Sequence, residues 1–328
     1  MPRLGVIGTM VWDRIYARDG LATPVEEWGG ISYALAALAA AMPEGWEVVP
    51  ILKVGRDLEE QALRFLRTLP AMNLDLGIRT VPEPNNRVEL HYHDGERRTE
   101  RLSGGVPPWV WPELRPVLAQ VDALYVNFIS GFEMGLETAT YVRAGFDGPI
   151  YADLHSLFLG VGPGGVRVPR PLEAWREWLR CFDIVQVNED ELRWLTGVWG
   201  DPWRFAAEIV GPELRLLLIT LGPRGAAYFA SPAFRPNPLS WYEASPPGPR
   251  LLGVPGAVKS EHILPEGGPL EGDPTGCGDV WGATCFARLL AGDPLDVAIR
   301  RANWAAGKNV QHRGATGLHL FLRGQIET

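Results

Sequence analysis

Asp273-Pro274-Thr275-Gly276-Cys277-Gly278-Asp279 decides the reading of this 328-residue chain, because the residues after it, Val280-Trp281-Gly282-Ala283-Thr284-Cys285-Phe286-Ala287-Arg288-Leu289-Leu290, have helical period. Two glycines and a carboxylate therefore stand at a helix N-terminus. Backbone N–H groups there lack intrahelical partners and carry the positive end of the helix dipole, so the Gly276-Cys277-Gly278 turn can hold a phosphate oxygen. Glycine lets the ligand approach the backbone with no Cβ in the way. A carboxylate aimed at a phosphate would repel it, so Asp279 reads as a base facing the group that attacks. The stretch is a candidate phosphoryl-transfer site.

Upstream, short apolar runs alternate with helical patterns, which implies an α/β fold with a doubly wound, mostly parallel sheet covered on both faces. The runs are Leu4–Ile7, Val48–Leu52, Ala123–Phe128, Ile150–Ala152, Ile184–Val187 and Leu214–Thr220. Between the first two, Ile31, Leu35, Leu38 and Met42 form one helical stripe, and Leu58, Ala62, Phe65, Leu66 and Leu69 form another. Asp57 with Glu60 predicts a capping box for that second helix. A different texture appears at Arg87–His93, where period-2 alternation precedes the turn Asp94-Gly95 and a return strand through Leu102. His91 and His93 share one face of that strand, which reads as a polar strand face rather than a metal site, since no third ligand is spaced to join them. Ser231–Gly272 is rich in Pro and Gly and reads as a long loop with a few extended pieces.

The Asp273–Asp279 stretch resembles the C-terminal signature of the ribokinase-like carbohydrate kinases (the PfkB family), Asp-Thr-x-Gly-Ala-Gly-Asp before a helix. The resemblance implies that Asp279 is the catalytic base and that Gly276, Cys277 and Gly278 form the anion hole. It extends over nearly the whole chain, in the family's order. Gly8 followed by Asp13, then Gly29-Gly30 opening a helix, match the family's substrate-side glycines and acid; a carboxylate beside bare backbone suits a polyol. Asn188-Glu189-Asp190-Glu191 follows an apolar strand and matches the family's Asn-x-x-Glu, which implies a Mg²⁺-associated role for Asn188 and Glu191, exerted through water. The same spacing is also a capping box, and both readings hold together. Thr220, Gly222 and Gly225 match the nucleotide-binding turn, although that pattern alone signals only a hairpin, and Asn303 lies in the segment matching the closing helix beside the adenine. A small β lid over the substrate, built from about residues 11–28 and 78–106 of a single domain spanning 1–328, is implied as well.

The expected activity is ATP-dependent phosphoryl transfer to a hydroxyl of a sugar or sugar-like molecule, with ATP and Mg²⁺ as cofactors and room for a monovalent cation. Two positions depart from the family: Ala34 stands where its sugar kinases place Asn, and Asp153-Leu154-His155-Ser156 where many have Asp-x-Asn-x-Arg. They leave the acceptor open, including a nucleoside, and keep a catalytically weak or inactive binding protein of the same fold as the rival. Other classes fit less well. Lys308 is followed by Asn309, so no P-loop is present, and Gly276-x-Gly278-x₃-Gly282 follows no strand and carries Trp281 where a dinucleotide fingerprint has glycine.

Composition is ordinary for a soluble globular protein. A net charge of −8, from 39 acidic against 31 basic residues, with no basic run, argues against nucleic acid and anionic membranes as partners. Three cysteines, Cys181, Cys277 and Cys285, form no C-x-x-C pair and suit a reducing cytoplasm. No signal-like or membrane-length apolar run is visible, so a cytoplasmic location is expected. The lid offers strand edges through which a homodimer would pair.

Overall fold

The computed structural model describes residues 1–16, 24–92, 98–197, 200–232, 234–241, 257–268 and 270–327. The chain opens with β1 (Arg3–Ile7), leaves for β2 (Met10–Tyr16) and β3 (Val25–Gly30), and returns through α1 (Ile31–Ala41). Next come β4 (Glu47–Gly55), α2 (Glu59–Leu66) and β5 (Ile78–Val81), followed by a second excursion, β6 (Arg87–Tyr92) and β7 (Arg98–Ser103). Strand and helix then alternate through α3 (Trp111–Leu118), β8 (Ala123–Asn127), α4 (Leu136–Gly145) and β9 (Ile150–Asp153). A short hairpin, β10 (Leu159–Val161) and β11 (Arg167–Pro169), precedes α5 (Trp175–Arg180), β12 (Ile184–Asn188), α6 (Glu189–Thr196), α7 (Pro202–Ile209) and β13 (Leu216–Thr220). β14 (Ala226–Ala230), β15 (Lys259–Ile263), α8 (Cys277–Leu290), α9 (Leu295–Val310) and α10 (Leu318–Leu322) complete it.

The main sheet has nine strands in the order β15-β14-β13-β12-β9-β8-β1-β4-β5, parallel from β13 to β5 and antiparallel at β14 and β15. Alternate side chains of each strand feed two cores. Leu216 and Leu218 join the layer of α1, α2, α8, α9 and α10, while Leu217 and Ile219 join the layer of α3 to α7. This is the doubly wound arrangement the apolar runs predict, and all six runs are strands of it. No helix among the described residues is long and apolar enough to cross a membrane.

The two excursions form a separate small sheet of four strands, β3-β2-β6-β7, at the place where the resemblance implies the lid, and it is called the lid below. Its second excursion starts later than expected: Ile78–Val81 is β5, paired with β4 in the main sheet, so only the stretch from Arg87 belongs to the lid. The expected turn at Asp94-Gly95, with His93, lies outside the described residues. β7 bridges to Val166, so one lid edge is already covered. Most of Ser231–Gly272 that is described is irregular, but Lys259–Ile263 forms edge strand β15.

Asp57 does not cap α2, whose N-cap is Leu58. Its carboxylate instead accepts the backbone N–H of Asn85 at 2.8 Å and pairs with Arg87 at 2.6 Å, anchoring the lid to the end of β4. Asn85 is fully buried and completes the anchor: Oδ1 accepts Gly55 N–H, while Nδ2 donates to the carbonyls of Met10 and Asn86. Asn85→Ala strands these groups without partners, and a buried unpaired polar group costs about 1–3 kcal/mol. The variant is expected to lose about 3 kcal/mol of unfolding free energy in urea titration; a loss under about 1 kcal/mol would mean that the anchor is not stabilising.

Candidate active site

The carboxyl ends of neighbouring strands β8, β9, β12 and β13 carry a row of polar residues. Register sets Asn127 beside Asp153, Asp153 beside Gln186, and Asn188 beside Thr220. Helix α8 arrives above this edge with its N-terminus first. Gly276 is its N-cap at φ 75°, and a Cβ there would lie 2.3 Å from the Tyr33 ring of α1, so glycine is required both by backbone conformation and by contact. Cys277 begins the helix with its thiol against the Ala306 carbonyl and Asn309. Burial pushes that thiol up to about 11, so it is no nucleophile at neutral pH.

Asp279 lies in the first turn of α8. Asn127 donates to its Oδ1 at 2.7 Å, and Gln186 donates to the Gly278 carbonyl at 3.1 Å. Gln186 also donates to Asp153 at 2.9 Å and accepts the Tyr151 hydroxyl at 2.6 Å. These bonds fix the turn that precedes the carboxylate. Asn127, Gln186 and Tyr33 carry no motif of their own, and their signal in sequence is only that each sits at or near the end of an apolar run or the start of a helix.

On the lid side, Asp13 is 6% exposed, and Gly29 faces it so closely that a Cβ would lie 1.7 Å from its carboxylate. Gly30 ends β3 and caps α1 at φ 59°, with Ile31 N–H donating to Thr9. Tyr33, a turn into α1, links the two halves: its ring touches Gly276 and its hydroxyl lies in the fields of Asp13, Asp273 and Asp279. The acid and glycines of the N-terminal half thus face the same space as the α8 turn. Ala34 is fully buried in the core, so no polar group reaches that space from its position.

No protein-family model and no curated protein matches the sequence. Solved structures do match over almost the entire length. The ribokinase of Thermotoga maritima aligns with a TM-score of 0.71 over 99% of this chain and 99% of its own, at 16% identity. An adenosine kinase from Sinorhizobium meliloti gives 0.71 over 98% and 97%, at 17% identity. A pyrophosphate-dependent kinase of the ribokinase family, solved with a pyrophosphate analogue and myo-inositol, gives 0.68 over 96% and 97%, at 18% identity. The chain has the ribokinase-like fold.

Within this ribokinase-like frame, Thr220 ends β13 and is followed by a tight turn with Gly222 at φ 58° and Gly225 at φ 83°, then by antiparallel β14. A Cβ at 225 would lie 2.2 Å from the Ile263 carbonyl, so this glycine seats β15 as well. Asn303 has its amide committed: Oδ1 accepts the Trp281 indole N–H at 2.8 Å and Nδ2 donates to the Ile263 carbonyl at 3.2 Å. Its observed work is to tie α8, α9 and β15 together.

Asn188 and Glu191 form the capping box in full. Asn188 Oδ1 accepts the N–H groups of Asp190 and Glu191, and Glu191 Oε2 accepts Asn188 N–H at 2.8 Å. Glu191 Oε1 accepts two further donors, Asn188 Nδ2 and His155 Nδ1, both at 2.7 Å. With both oxygens engaged and the side chain buried, Glu191 does not fit as a direct magnesium ligand. Among the described residues no cluster of three His, Cys, Asp or Glu side chains is arranged to hold a metal.

His155 follows β9 in a short 3₁₀ turn, and it faces Glu191 rather than the lid. Loss of hydration acts to lower its pKa, but the Glu191 bond and the charges of Glu191, Asp153 and Asp279 outweigh that and push it up to about 9. Burial and then the Glu191 charge raise Asp153 above the usual carboxylate range. The folded state therefore holds the His155 proton more tightly than the unfolded chain. The stability this lends is fully present below pH about 6.5 and is lost as pH rises through about 9. The melting temperature is expected to fall between pH 7 and 9.5, and less steeply in His155→Gln; parallel pH profiles for the two proteins would refute the pairing.

Gly29→Ala tests the acceptor side. Its methyl overlaps the Asp13 carboxylate, so Asp13 is displaced and acceptor affinity is expected to drop by more than about tenfold, read by calorimetric titration, with the fold intact by circular dichroism.

Proposed function

We propose that the protein is a carbohydrate kinase that moves the terminal phosphoryl group of ATP to a hydroxyl of a sugar or sugar-like small molecule. The observation that carries this reading is the Asp279 carboxylate, held by Asn127 in the first turn of α8 and immediately beyond the Gly276-Cys277-Gly278 turn. The N–H groups of that turn would receive the transferring phosphoryl, and Asp279 would take the proton of the attacking hydroxyl. Asp13, with the bare backbone at Gly29 and Gly30, would orient the acceptor from below the lid. Thr220, Gly222 and Gly225 would line the donor. Positioning and electrostatics supply most of the rate in phosphoryl transfer, so a rigid α8 turn is the main asset. On this reading magnesium comes with the donor's phosphates rather than as a resident of the protein.

A ribokinase, an adenosine kinase and a pyrophosphate-dependent kinase solved with myo-inositol share the fold, so the acceptor class is left to experiment. The rival reading, a binding protein without turnover, draws on Ala34, whose burial removes one polar contact to an acceptor.

The deciding assay is MgATP-dependent ADP release with sugars, sugar acids, inositols and nucleosides, run beside Asp279→Asn. The amide can still accept from Asn127, so the variant should fold normally while losing about 10²–10⁴-fold in turnover. A retained rate would remove Asp279 from the role of base, and acceptor binding without ADP release from any acceptor would favour the binding protein.

A further inference from the structure

We infer that the protein holds a second small-molecule site, in a cavity of about 290 Å³ between α1, α8, α9 and α10, and that this site takes an aromatic acid carrying one negative charge. The size is near the lower end of ordinary ligand pockets. Arg288, on its wall, lies about 13 Å along α8 from Asp279 at the usual helical rise, so the cavity is separate from the phosphate turn. The inference goes beyond the transferase reading and needs no turnover.

Helical spacing assembles the walls. Ala37 and Ala41 are four residues apart and share one face of α1, as Thr284 and Arg288 share one of α8 and Arg301 and Ala305 one of α9. Alanine on two of the three helices leaves the space open between them.

The side chains around that space set the chemistry of the ligand. Thr284 is 4% exposed, yet its hydroxyl has no hydrogen-bond partner among the described residues, although a helical threonine commonly donates to a carbonyl one turn back. A buried hydroxyl left unpaired is destabilising, and a ligand oxygen in the cavity that Thr284 lines would satisfy it. Arg288 donates from Nε and Nη2 to Asp293 at 2.7 and 2.9 Å, and that carboxylate offsets its charge. Arg301 is exposed and has no ion pair or hydrogen bond among the described residues, so the cavity has one uncompensated cation. One such cation calls for one negative charge, and the planar guanidinium fork fits a carboxylate. Trp304, 48% exposed and three residues from Arg301 on α9, lines the same space with an indole ring. A flat ring bearing the acid can pack on that indole while its carboxylate reaches Arg301 and Thr284.

The test is calorimetric titration of the full chain at neutral pH with 2-naphthoate, beside 2-naphthylmethanol, which lacks the charge, and acetate, which lacks the ring. The naphthoate is expected to bind at least about tenfold tighter than either. Arg301→Gln and Trp304→Ala, both at exposed positions, should each weaken it by about tenfold or more, and Thr284→Val, which keeps the shape and removes the hydroxyl, by about threefold or more. If one of these does not melt cooperatively, Ala41→Leu, which narrows the cavity and removes no polar group, is expected to weaken the naphthoate by about tenfold or more in its place. No binding by the wild type, equal affinity for the uncharged alcohol, or unchanged affinity in any folded variant would overturn the inference. Binding of the acid involves neither donor nor acceptor, so a failed ADP-release assay would count against the transferase reading and leave this result standing.

Discussion

Residue 282 has no side chain, and the site depends on that fact. A Cβ there would lie 2.1 Å from Gln186 Oε1 and 2.8 Å from the Tyr125 hydroxyl, so any larger residue would displace the Gln186 amide or the helix itself. Because the helix sits this low, Gln186 can reach the Gly278 carbonyl and Asn127 can reach Asp279. The first turn of α8 is thus held by strand-end amides, so the helix N-terminus is aimed by the sheet rather than by a loop. Rigidity of this kind is what a reaction governed by positioning needs.

The electrostatics follow from the same packing. A low helix brings Asp279 into the neighbourhood of Asp153 and Glu191, and burial raises Asp153 so that like charges are not all expressed together. His155 absorbs much of the rest. Glu191 in turn spends its oxygens on the start of α6 and on that imidazole, so one residue serves as helix cap and counter-ion at once. Capping and charge placement are here a single arrangement of atoms.

Much of this was legible in the chain. The six apolar runs became six strands because central parallel strands are buried on both faces and need no alternation. The α8 turn, Asp13 and the Gly29-Gly30 pair stand out in the sequence because glycines and acids have few reasons to stand together otherwise. β5 and β15 escaped because edge strands make no such demand: Arg79, Thr80 and Lys259 to His262 face solvent, and their pairing is decided by neighbours distant in sequence. Asp57 looked like a cap because three-residue spacing is a local rule, while its true partners, Asn85 and Arg87, come from the next excursion. His155 lay at a position noted for departing from the family, yet only the adjacency of β9 and β12 turns it toward Glu191.

Gly29 and Gly30 belong to two structures at once. They are the last residues of lid strand β3, paired with Val11 and Met10 of β2, and they launch α1, which packs against α8. No linker separates the lid from the helix that touches Gly276. Any tilt of this small sheet against the main one is therefore also a rotation about Gly29 and Gly30, and it reaches Gly276 through Tyr33. On the proposed reading, grip on the acceptor and alignment of the reacting groups would share one degree of freedom, and a molecule of the wrong shape would be penalised in both together.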